Sequence, residues 1–146
     1  MTTIALINIL LVDDSEDDIE FTLKALEKTK LANSVSVVND GIEAMEFLRK
    51  EGKYASVPTP SLILLDLNMP RKDGREVLTE IKEDTDLRKI PVVILTTSQA
   101  EEDIVRSYEL HANCFVSKPV DLEGLVKVVQ RIDDFWFGVV KLPPER

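Results

Sequence analysis

Asp13-Asp14, Asp66, Thr96 and Lys118 are the residues of this chain whose types and positions could do chemistry together. Each stands at or just past the end of a short apolar run: Ile9-Leu10-Leu11-Val12, Leu62-Ile63-Leu64-Leu65, Val92-Val93-Ile94-Leu95 and Phe115-Val116-Ser117. Three carboxylates gathered at one place repel, so either one of them takes up a proton or a cation holds them together. An all-oxygen set without His or Cys suits a hard ion, Mg2+ or Mn2+, which keeps coordination positions for water and a phosphate oxygen. A carboxylate facing both that ion and the Lys118 ammonium is poised to attack phosphorus, since carboxylates form aspartyl-phosphates and both cations stabilise the transferring group. Thr96 offers a hydroxyl to one of its oxygens. Asp66 is the candidate nucleophile, because it sits on the expected central strand between the acidic pair and the Thr/Lys side. Singly these features are commonplace: Asp-Asp caps a helix, a strand-end Thr reflects β propensity, and Lys-Pro makes a turn. Their joint occurrence at four strand ends, in order, is what carries the chemical reading.

The elements that must position them can be read from periodicity. Buried parallel strands appear as continuous apolar runs, and ligand sites of open α/β sheets lie beyond the carboxyl ends of the strands. Strands are expected at about Ile7 to Val12, Val35 to Val38, Leu62 to Asp66, after Pro91, and Cys114 to Ser117. Helices are expected at about Asp17 to Lys28, Ile42 to Arg49, Gly74 to Glu83, Glu101 to Leu110 and Leu122 to Phe137. The first should bury Ile19, Leu23 and Leu26, with Ser15 and Asp18 at capping-box spacing; the second should bury Ala44, Met45 and Leu48. Five alternating strands and helices indicate an α/β fold, a flavodoxin-like (βα)5 doubly wound parallel sheet of order 2-1-3-4-5. That order places Asp13-Asp14 beside Asp66 and brings Thr96 and Lys118 from the other side.

The 146 residues suffice for one domain with a proper core. A net charge of -9 argues against nucleic acid or an anionic membrane as partner, since both need a basic face. A single Cys excludes an internal disulfide and a cysteine-based zinc site. No apolar stretch would span a bilayer and no basic leader precedes the first strand, so the cytoplasm is the expected compartment. His111 reads as a loop residue, and Cys114 as a small strand hydrophobe.

At these motifs the chain resembles the receiver domain of two-component response regulators. The matching stretches are Leu10-Leu11-Val12-Asp13-Asp14, Leu64-Leu65-Asp66-Leu67-Asn68-Met69-Pro70 with Asp73-Gly74, Pro91 to Thr96, and Lys118-Pro119. The resemblance implies that Asp66 is the phosphoacceptor. It implies Mg2+ bound directly by Asp14 and Asp66, through water by Asp13, and by the main-chain carbonyl of Asn68. It implies Thr96 and Lys118 on the phosphoryl group, and a switch in which Thr96 moves and Phe115 turns inward behind it. The chain also resembles the small single-domain regulators that partner phytochrome-type histidine kinases. This second resemblance lies in Glu51-Gly52-Lys53-Tyr54-Ala55, Thr97 to Ile104, Ser107 to Asn113 and the tail from Phe135 to Pro144. It implies a phytochrome-like kinase partner and a role in light signalling.

One domain over 1–146 is expected, with 135–146 extending the last helix. Phe135 and Phe137 fall off that helix's apolar stripe and Val139 extends the apolar content past Gly138, a surplus that suggests a homodimer interface. Two other functions compete. A haloacid-dehalogenase-like phosphatase would also use Asp66, Mg2+, Thr and Lys, but wants an acid two positions after the nucleophile, where Asn68 stands. A flavodoxin-like flavin site would need a loop rich in Ser, Thr and Gly after the first strand, where Asp13-Asp14 stand.

Overall fold

The apolar runs form the strands of one parallel sheet. The structure is a computed structural model, and it describes residues 7–27, 33–67, 69, 72–96 and 114–118. Its elements in chain order are β1 (Ile7–Val12), α1 (Glu16–Glu27), β2 (Asn33–Val38), α2 (Gly41–Leu48), β3 (Leu62–Asp66), α3 (Gly74–Glu83), β4 (Val92–Thr96) and β5 (Cys114–Ser117). Single 3-10 turns at Gly52–Tyr54 and Leu87–Lys89 lead into β3 and β4. The strand order is β2-β1-β3-β4-β5, all pairs parallel, as the sequence predicts. The two helices expected at about Glu101 to Leu110 and Leu122 to Phe137 lie outside the described residues.

Side chains alternate across the sheet and divide the core in two. Leu10, Val12, Ile63, Leu65, Val92 and Ile94 face α2 and α3, where Ala44, Met45, Phe47, Leu48, Val77, Leu78 and Ile81 cover them. Ile9, Leu11, Leu62, Leu64, Val93 and Leu95 face α1 through Ala25 and Leu26. Strands covered on both faces have no polar positions to show, which is why they read as unbroken apolar runs. Each buried Leu or Ile contributes about 1.5–3 kcal/mol, a reserve against which a cluster of acids at one edge can be held.

Helix starts follow local chemistry. Ser15 Oγ accepts from the Asp18 amide at 3.3 Å, and Glu16, Asp17 and Asp18 crowd the positive end of α1. The reciprocal half of the expected capping box is not made: the Asp18 carboxylate turns to Lys118 instead. In α3 the full box forms, with Asp73 accepting from the Glu76 amide and Glu76 accepting from the Asp73 amide. The buried stripe of α1 is Thr22, Ala25 and Leu26, while Ile19 and Leu23 are half-buried at its margin. Periodicity identified the side of the helix correctly but centred the stripe one position off. In α2 the expected Ala44, Met45 and Leu48 are buried, joined by Phe47.

Candidate phosphoryl and cation site

Register alone brings the acids together. Val12 pairs with Leu65, so Asp13 and Asp66 follow side by side off β1 and β3. Asp66 pairs with Leu95, and Thr96 with Ser117, which puts Thr96 and Lys118 at the same edge. One carboxylate oxygen from each of Asp13, Asp14 and Asp66 lies within 4.8 Å of the others. Asp13 and Asp66 are buried, at 0% and 4% exposure, and Asp14 is exposed. The side chains of Thr96 and Phe115, residue Asn68, and the tail with Phe135, Phe137 and Val139 lie outside what is described.

Lys118 closes the cluster. Its ammonium lies 3.1 Å from Asp13 Oδ2, 3.2 Å from Asp66 Oδ2 and 2.9 Å from Asp18 Oδ2. Burial opposes its charge, but the hydrogen bond to Asp18 and the charges of Asp66 and Asp13 outweigh burial and hold its pKa above the usual lysine value. It therefore stays protonated across the neutral range. Asp18 is the site residue that sequence reasoning left as a helix cap. Its contact spans 100 residues of chain, and no local pattern signals such a partner.

Asp13 shows how the acid loop suits a divalent cation. Its Oδ1 accepts from the Ser15 amide at 3.0 Å. Its Oδ2 is buried and, among the described residues, has no hydrogen-bond donor near it other than the Lys118 ammonium, 3.1 Å away. A buried carboxylate clustered with two others, with no soft ligand in the set, fits a hard ion that takes oxygen donors.

The loop is held from behind as well. The Asp13 amide donates to Val38 O at 3.1 Å, and Asn39 Nδ2 donates to Asp13 O at 3.2 Å. Glu43 in turn accepts from the Asn39 amide at 3.0 Å and from the Tyr54 hydroxyl. Tyr54 packs on Phe47 with ring centres 5.1 Å apart. Burial, then the hydrogen bond to Glu43 and its charge, push the Tyr54 hydroxyl up to about 12. The folded chain thus keeps a proton that the unfolded chain loses near pH 10. This stabilisation is complete below pH 10 and is lost as pH rises through about 12. Urea unfolding followed across this alkaline range should show stability falling more steeply in the parent than in Tyr54→Phe. Parallel curves would show that Glu43 does not hold the hydroxyl proton.

Similarity to known proteins agrees with this geometry. Residues 9–130 match the profile of the family described as Response regulator receiver domain. Response regulator Rcp1 of Synechocystis sp. is 50% identical over 135 residues, 92% of this chain and 92% of that protein. The solved structure of the phosphorylated cyanobacterial phytochrome response regulator RcpA is 50% identical, with a TM-score of 0.76, over 91% of this chain and 95% of that one. The Mn2+-bound form of Rcp1 is 49% identical, with a TM-score of 0.74, over 91% and 96% of the two chains. A parallel sheet with three acids and a lysine at its carboxyl edge, matched along most of its length in this way, belongs to the response regulator receiver domain family.

Proposed function

We propose that Asp66 accepts a phosphoryl group from a histidine kinase and that the phosphorylated chain signals by binding a further protein. One observation carries this: the Lys118 ammonium stands 3.2 Å from Asp66 Oδ2, on the strand edge where Asp13 and Asp14 also gather. In the transfer, an Asp66 carboxylate oxygen forms a bond to phosphorus while the bond from phosphorus to the histidine nitrogen breaks. The departing imidazole keeps the electron pair and takes a proton from water. Lys118 neutralises charge on the phosphoryl oxygens, and the Thr96 hydroxyl donates to one of them. Asp14 and Asp66 directly, Asp13 through water and the main-chain carbonyl of Asn68 would hold a divalent cation, in our reading Mg2+, which would supply further positive charge at the same oxygens. Phe115 follows Thr96 in the switch as a gradual shift of populations.

The likeness to RcpA and Rcp1 supports a phytochrome-like kinase as donor, and our reading places the exchange in the cytoplasm. No described helix is long and apolar enough to cross a membrane. The surplus apolar residues Phe135, Phe137 and Val139 support homodimerisation through an extension over 135–146. The chain catalyses only its own phosphorylation and dephosphorylation.

Incubation with acetyl phosphate and Mg2+, followed by intact mass measurement, tests the central step. The expected result is one labile phosphoryl group per chain, absent in Asp66→Asn and after chelation. A parent that gains no mass refutes the reading, and multiple turnover on phosphate esters replaces it with a phosphatase.

A further inference from the structure

An ammonium has three N–H donors. Lys118 meets three carboxylates, Asp18, Asp13 and Asp66, at 2.9, 3.1 and 3.2 Å. A phosphoryl oxygen on Asp66 would compete for the same three donors, and the ammonium must loosen its present contacts to meet it. Asp13 is fully buried and its main chain is pinned by Val38 and Asn39, so it cannot withdraw into water. Asp66 carries the phosphoryl group itself. Asp18 differs from both. Its side chain is 31% exposed, so water can replace the ammonium at small cost. It lies outside the trio of acids that share one cation-sized space. It also stands in the first turn of α1, where the helix dipole favours its charge whether or not Lys118 is near.

We propose that Asp18 is a latch on Lys118: it holds the ammonium in the resting protein and is the acceptor that Lys118 releases when Asp66 is phosphorylated. This rests on the reading of Asp66 as phosphoacceptor. Asp18 is a positioning residue, acting through Lys118 and touching neither the cation nor the phosphorus. The latch sets part of the cost of reaching the phosphorylated state, because every phosphorylation must break this ion pair.

The test is the affinity of the Mg2+-saturated full chain for beryllofluoride, a mimic of the phosphoryl group. Asp18→Asn is expected to tighten binding about three- to fivefold, the size of one partly exposed ion pair. Asp17→Asn removes the same charge from the same turn, at an exposed position that is not among the ion pairs of Lys118, and is expected to leave the affinity near that of the parent. In a Lys118→Met background the effect of Asp18→Asn should vanish, an outcome that a merely structural role for Asp18 would not produce. Asp18→Ser, which keeps a small polar group in the first turn, repeats the measurement if Asn weakens the helix. Unchanged or weaker binding by the Asp18 variants overturns the latch, as does an equal gain in Asp17→Asn or a gain that persists without Lys118. A parent that fails to bind beryllofluoride at all counts instead against Asp66 as phosphoacceptor, and the latch falls with it.

Discussion

Lys118→Met lowers the stability of the metal-free protein by about 3–5 kcal/mol, the usual cost of removing one partner from a buried ion pair. The lysine side chain is 7% exposed and faces two carboxylates that are themselves buried. Methionine fills much of the same space, so the loss reports charge more than volume. The substitution leaves Asp13 and Asp66 without the ammonium that faces them both. Divalent cation should therefore stabilise the variant more than the parent, because the ion supplies the positive charge that Met does not. Urea unfolding of both proteins, with and without Mg2+, checks this. A variant as stable as its parent in chelator would show that Lys118 does not hold the acids together. The same substitution should slow phosphorylation by acetyl phosphate about 10²- to 10³-fold, the range for losing one preorganised group from a transferring centre. A loss of stability without a loss of rate would confine Lys118 to a structural role.

Gly74→Ala is expected to destabilise the fold by about 3 kcal/mol, at the upper end of the usual cost of overpacking. A Cβ at Gly74 would lie 2.3 Å from the carbonyl oxygen of Asp66 and 2.7 Å from Leu67 Cα. Both obstacles are main chain, so no side chain can swing aside. The Gly74 amide also donates to Leu67 O at 2.8 Å, tying the start of α3 to the end of β3. The contact that a methyl group would break is thus the one that seats Asp66. Beyond the stability loss, the variant should bind Mn2+ more weakly, as read by titration calorimetry under conditions where it remains folded. Gly41 is built the same way: its Cβ would meet Lys72 O at 2.2 Å. Parent-like stability in Gly74→Ala would mean that α3 can shift off the strand end, and that the seat of Asp66 is softer than it stands here.

How far the sequence reaches is clearest at individual residues. The strand positions were legible because a strand buried on both faces leaves no room for polar side chains, so Leu10 to Val12 and Leu62 to Leu65 announce themselves. Sheet order followed from the alternation of strands and helices, and with it the meeting of Asp13, Asp14 and Asp66. Local chemistry was less secure. Asp73 and Glu76 form a capping box that spacing also allowed at Ser15 and Asp18, where only half of it forms. What separates the two is the destination of the acid, and for Asp18 that is a lysine 100 residues away.

Sequence by itself determined which strand ends would carry acids, a hydroxyl and an ammonium, since the apolar runs and the residues just past them are properties of the chain alone. Only the folded structure decided how those groups share their charges: that Lys118 answers to Asp18 as well as to Asp13 and Asp66, and that Tyr54, through Glu43 and Asn39, backs the loop of Asp13. The reason is reach. Burial patterns repeat along the chain and can be read from it, whereas an ion pair or hydrogen bond between distant side chains depends on tenths of an ångström that packing alone sets.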